Sequence, residues 1–169
     1  MNLQLDALAE HVRDLVWENL GTELQLVTCQ QGCPEHLRAP EDVLEAVPAV
    51  LVDPPRWGGA RPDTDLPMIS GTVTLGLQFL RRVQGPTSDS PGEEHPRTTV
   101  RQLERIAALF CQPGWRLEGW DDSAGVEVLK IWPSDVVHEY DLDYDQGKIQ
   151  VALGSITLQA EVTVYSTAG

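Results

Sequence analysis

Three groups of side chains have types and spacings suited to chemistry. Cys29, Cys33 and His36 are separated by three and then two residues, and could present soft ligands from one loop. Zinc would need a fourth ligand, and neither a second cysteine pair nor a His-x3-His follows at a usual distance. Asp141, Asp143 and Asp145, in DLDYDQG, match the opening of an EF-hand loop. That loop would need glycine where Gln146 stands and a bidentate glutamate where Ala152 stands. The third group surrounds Trp57, which lies between Pro54-Pro55 and Gly58-Gly59 with Arg56 and Arg61 close by. Tryptophan and arginine anchor protein interfaces, so Trp57 is either tucked against its own domain or offered to a partner. The histidines His11, His36, His95 and His138 have no nucleophile paired with them in sequence. No nucleophile elbow, phosphate loop or dinucleotide fingerprint occurs. The reading is a non-enzymatic chain with no cofactor and no metal.

Charge narrows the classes further. The 169 residues carry 26 Asp+Glu against 12 Lys+Arg, a formal charge of −14. Phosphate binding needs clustered bases, so general nucleic-acid binding is excluded, as is adsorption to anionic lipid. Part of the excess has a pattern. Asp135, Glu139, Asp141, Asp143 and Asp145 share one parity, and Tyr140, Leu142 and Tyr144 share the other. On a regular strand these acids would line one face. No segment reaches the roughly 18 apolar residues of a membrane span. The start, MNLQLD, lacks the basic and apolar runs of a secretory signal. Three cysteines make no disulfide framework and agree with folding in a reducing cytoplasm.

The elements that must position these residues follow from periodicity. Residues 3–20 form an amphipathic helix with Leu5, Leu8, Val12, Leu15 and Val16 on its buried stripe, ended by Gly21. A short strand is expected over 23–28, irregular chain over 29–40, and a buried strand over 47–52. Residues 53–67, with four prolines and two glycines, read as a long loop. Strict alternation of Ile69, Val73, Leu75, Leu77 and Phe79 marks a long strand that Arg81 and Arg82 close. The polar stretch 84–97 reads as an exposed loop. A second helix is expected over 98–112, with Thr99 and Gln102 as a capping box and Val100, Leu103, Ile106, Ala107 and Phe110 buried. Strands are expected over 126–132, 136–144 and 149–165, with a bulge or bend at Gly154 where the apolar parity changes. Trp115, Trp120 and Trp132 flank these strands and read as core. Together the elements predict one α+β domain over 1–169, a mainly antiparallel sheet with both helices on one face.

The helix at 3–20, VPAVLVDPP at 47–55 and ISGTVTLGLQFLRR at 69–82 follow an order that resembles the tail-terminator and tail-completion (head-tail joining) proteins of long-tailed bacteriophages. TTVRQLERIAALF at 98–110 and LQAEVTVYST at 158–167 complete the likeness, while 115–153 forms a longer β segment than the smallest members have. The resemblance implies a structural virion protein at the tail-neck junction, a homo-oligomeric ring, commonly a hexamer. Such a ring caps the tail tube and meets the head-tail connector. DNA would pass through its channel without specific binding, and Asp135, Glu139, Asp141, Asp143 and Asp145 would be the channel-facing acidic surface. Arg56, Trp57, Arg61, Arg81 and Arg82 would belong to an interface with neighbouring subunits. The alternative is a small acidic binding module, immunity- or chaperone-like, that acts on a basic protein.

Overall fold

Helix α1 spans Leu3–Leu20, and the predicted stripe is the face it buries: Leu5, Leu8, Val12, Leu15 and Val16 are all in the core. The computed structural model describes residues 3–32, 45–62, 68–83, 94–111, 117–121, 125–144 and 149–165. Gly21 does not end α1 in the expected way. Its N–H still donates to the Trp17 carbonyl (3.0 Å), and the left-handed residue is Gln25 (φ 53°). Leu26 N–H returns to Gly21 O (2.8 Å) and Gln25 N–H to Thr22 O (3.2 Å), which is a Schellman closure. That turn uses residues the sequence assigned to a strand at 23–28. The strand forms later, as β1 (Thr28–Gln31), in parallel register with β2 (Ala49–Val52), Thr28 opposite Ala49.

All four residues of β2 are buried, as its apolar run predicts. Residues expected as loop then form β3 (Arg56–Pro62), antiparallel to the first half of β4 (Met68–Val83). The second half of β4 pairs with β2, so β2 and β3 flank it end to end. The other side of β4 pairs along its whole length with β6 (Ile149–Tyr165), and β6 with β5 (Val126–Tyr144). The sheet order is β1-β2-β4-β6-β5, with β3 beside β4. Every pairing except β1 with β2 is antiparallel.

Helix α2 (Glu94–Ala107) begins before the predicted start and runs into a 3₁₀ turn at Ala108–Phe110. Pro96 fits in the first turn, where backbone N–H groups have no helical partner. Thr99 is therefore an interior residue rather than a cap. It is fully buried, and its hydroxyl accepts from Arg81 Nε at 2.7 Å. Both helices cover one face of the sheet and share one core with Val50, Val52, Val73, Leu75, Leu77, Phe79, Ile156, Leu158 and Ala160. This is the α+β arrangement expected.

Two features of the long strands correct the sequence reading. The separate strands expected over 126–132 and 136–144 are one strand, β5, with register shifts between Val128 and Lys130, Pro133 and Asp135, and His138 and Tyr140. Pro133 is tolerated because β5 is an edge strand. The bend expected at Gly154 does not occur, since β6 pairs with β4 without a shift. The apolar parity changes because that end of the sheet is buried on both faces. Val47, Ala49, Leu51, Leu80, Val151 and Leu153 form a second cluster opposite the helices. Gly154 has a different reason to be glycine: a Cβ there would lie 2.4 Å from Leu103 Cδ1. Helix α2 rests directly on the backbone at that point.

Candidate functional site

Beyond the second apolar cluster, no helix among the described residues covers the other face of the long strands. Cross-strand rows define it: Arg56, Thr74, Gln159 and Trp132 in one, Gly76, Thr157 and Asp135 in the next, then Gln78, Ser155 and Val137. Hydroxyl and carboxylate groups tie the rows together. Ser70 Oγ and Thr163 Oγ1 are 3.0 Å apart, Ser155 donates to Glu139 Oε1 (2.8 Å), and Tyr165 OH donates to Glu127 Oε2 (2.9 Å). Lys130 stands opposite Glu161 and places its ammonium 4.8 Å from the Trp132 ring centre. Trp132, expected in the core, thus belongs to this polar face. Val137 (43%) and Tyr165 (45%) are exposed apolar residues on it. The arrangement is a row of polar side chains across three strands, suited to contact with another macromolecule.

The predicted acidic strip does not form one surface. Asp135 is opposite Thr157, whereas Asp141 is opposite Ala152 and Asp143 opposite Gln150. Thr157 differs in parity from Ala152 and Gln150 on the regular strand β6, so the register positions fall on opposite sides of the sheet. The bulge between His138 and Tyr140 is the cause. Asp135 and Glu139 remain together on the uncovered face, both exposed. Asp145 lies outside the described residues.

The five residues of the expected interface loop are also spread out. Trp57, opposite Val73, packs against the helix-side core. Arg56, next to it, stands opposite Thr74 on the uncovered side. Arg61 is paired with Ser70, while Arg81 and exposed Arg82 are at the far end of β4, opposite Ala152 and Val151. At about 3.3 Å per residue, Arg61 and Arg82 are some 40 Å apart along the sheet.

Cys29 Sγ donates to the Arg13 carbonyl (3.6 Å) in a groove of about 460 Å³ that Arg13, Trp17 and residues 27–30 line. Burial pushes its thiol up to about 11, against the opposing pull of the Arg13 charge. Cys29 is consequently a poor nucleophile, and Cys33 and His36 lie outside the described residues. No group of three His, Cys, Asp or Glu converges on a metal-sized site among the described residues. Exposed Cys111 should react with iodoacetamide near neutral pH at least about 100-fold faster than Cys29. Peptide mass spectrometry of timed samples checks this, and equal rates would show that Cys29 is ionised or open to solvent.

Asp53 joins β2 to β3, with its N–H donating to Gly76 O at 2.8 Å. A Cβ on Gly76 would lie 2.5 Å from Asp53 Oδ2, so the carboxylate occupies the space that Gly76 leaves free. Burial raises its pKa above the usual 3.8, opposed by a hydrogen bond from Gln78 and the charge of Arg56. The native state therefore holds this proton more tightly than the unfolded chain does. The resulting stabilisation is complete below the ordinary carboxylate value and is lost as pH rises through the folded value. Asp53→Asn should be more stable than the parent at neutral pH, with the difference closing as pH falls. Urea melts across that range test it, and a pH-independent difference would contradict it.

His11 Nε2 lies 2.6 Å from Glu118 O and its ring meets Trp120 edge-on at 5.6 Å, pinning residues 117–121 against α1. Trp120 itself packs against the core and donates to Val126 O (3.0 Å). His138 stands opposite Gly154. Sequence reasoning overlooked the outer side of α2, where Arg97, Arg101 and Arg105 recur every four residues and are exposed. The spacing was visible, but a helix starting at 98 leaves Arg97 outside it. Among the described residues, no helix is long and apolar enough to cross a membrane. Comparison of the chain with protein-family models and with curated proteins gives no match in either.

Proposed function

We propose that this protein is a structural subunit of the phage tail-terminator type, without catalytic activity. Copies assemble into a ring, six in number, that caps the tail tube and meets the head-tail connector. The observation that carries this reading is the uncovered sheet face. From Ser70 to Gln78 of β4 and across the paired stretches of β6 and β5, short of the second apolar cluster, the sheet presents hydroxyl, amide and carboxylate groups on one side while both helices cover the other. Polar groups spread over three adjacent strands suit subunit packing better than the enclosure of a small substrate. The order of elements supports the same reading. With a net charge of −14, DNA passing the ring would meet little to hold it.

Native mass spectrometry of the purified full chain, beside probing of virions with an antibody to it, tests the proposal. A hexamer in solution and the chain at the tail-neck junction are expected. A chain that remains monomeric at high concentration and is absent from virions overturns it. A salt-sensitive one-to-one complex with a basic protein would favour the binding-module alternative instead.

A further inference from the structure

The two outer faces of the sandwich carry complementary charge at the same place. On the helix side, Arg97, Arg101 and Arg105 stand on one exposed side of α2. Arg105 Nε is engaged by Glu23 at 3.2 Å, and Glu104 is also exposed nearby. Arg97 and Arg101 have no carboxylate partner among the described residues. These arginines are an exception in a chain of −14.

On the sheet side, Asp135, Val137 and Glu139 are exposed on β5. Glu139 is held by the Ser155 hydroxyl, and Val137 supplies an apolar centre between two acids. Lys130, the nearest described cation on β5, already faces Glu161 and Trp132. Arg97 to Arg105 spans about 12 Å at 1.5 Å per residue. Asp135 to Glu139 spans about 13 Å along a strand. Because α2 packs on β5 and β6, the two patches lie back to back across the sandwich.

We infer that the arginine row of α2 in one copy docks on Asp135, Val137 and Glu139 of the next copy. Two different patches on opposite sides make a heterologous contact, the kind that closes into a ring when the rotation between copies permits. The inference rests on the ring reading above and specifies which surfaces meet.

Two charge-reversed variants test it. One carries Arg97→Glu and Arg101→Glu, the other Asp135→Arg and Glu139→Arg. Each alone should self-associate about 100-fold more weakly than the parent in low salt, by sedimentation velocity. Mixed, they should assemble, since every junction again brings opposite charges together. The acid-reversed variant is less negative than the parent, so its failure alone could not be general repulsion. Assembly of the mixture also shows that both variants are folded. A parent that stays monomeric throughout overturns the ring reading itself. If the parent assembles and either variant still assembles alone, or the mixture stays dissociated with both variants folded by circular dichroism, the ring reading stands and this interface is overturned.

Discussion

Gly154→Ala is expected to cost about 2 kcal/mol, seen as a fall of roughly 6 °C in Tm. The new methyl group would sit 2.4 Å from Leu103 Cδ1, 3.0 Å from Cδ2 and 3.1 Å from Cγ. Leu103 is fully buried and cannot swing into solvent, so relief must come from lifting α2 off the sheet. Larger side chains should cost more, with Gly154→Val beyond Gly154→Ala. Leu103→Ala alone removes core volume and should cost about 3 kcal/mol. Combined with Gly154→Ala it should cost little more than it does alone, because the colliding atoms are gone. A double-mutant cycle read by urea denaturation measures that coupling. Simple additivity of the two losses would show that α2 does not rest on Gly154.

Phe79→Ala should be the most damaging single truncation on β4, at about 4 kcal/mol and roughly 12 °C in Tm. Phe79 is 1% exposed and lies between Val50 of β2 and Gly154 of β6 in one cross-strand row. Gly154 offers no side chain, and Leu103, which fills the space above it, is held in the core by α2, so closing the void would require the helix itself to shift. Val137→Ala, on the exposed face, should change stability by no more than about 0.5 kcal/mol. Thermal melts of both variants give the comparison. A loss below about 1 kcal/mol for Phe79→Ala would contradict the packing described.

Elements whose burial has a regular period were legible in the sequence. The stripe of α1, the alternation of β4 and the apolar run of β2 each report one local face meeting one core. Elements that depend on a distant partner were less so. Residues 56–62 carry glycine and proline signals of a loop, and their extended form comes from pairing with β4. Alternation in β5 was read through three shifts of register that local composition does not mark. The acidic pattern at 135–145 therefore broke apart, leaving Asp135 and Glu139 as the pair that share a surface. The parity change near Gly154 was a true signal with a different cause, a sheet end buried on both sides. The arginine row of α2 was hidden by a helix start placed too late: Thr99 and Gln102 have capping-box spacing, yet Thr99 is buried a turn inside.

The irregularities of the outer strands have a consequence for how crowded copies behave. A strand with a free main-chain edge is a template on which another chain can hydrogen-bond and grow a fibre. Here β5 is interrupted by three bulges and Pro133, and β3 by a shift between Gly58 and Arg61 and by Pro62. At the remaining edge, β1 is only four residues long. Copies brought together at high concentration are thus steered away from joining backbone to backbone. Any association between copies would then fall to side chains, whose charge and shape can limit the number of subunits in the ring proposed above.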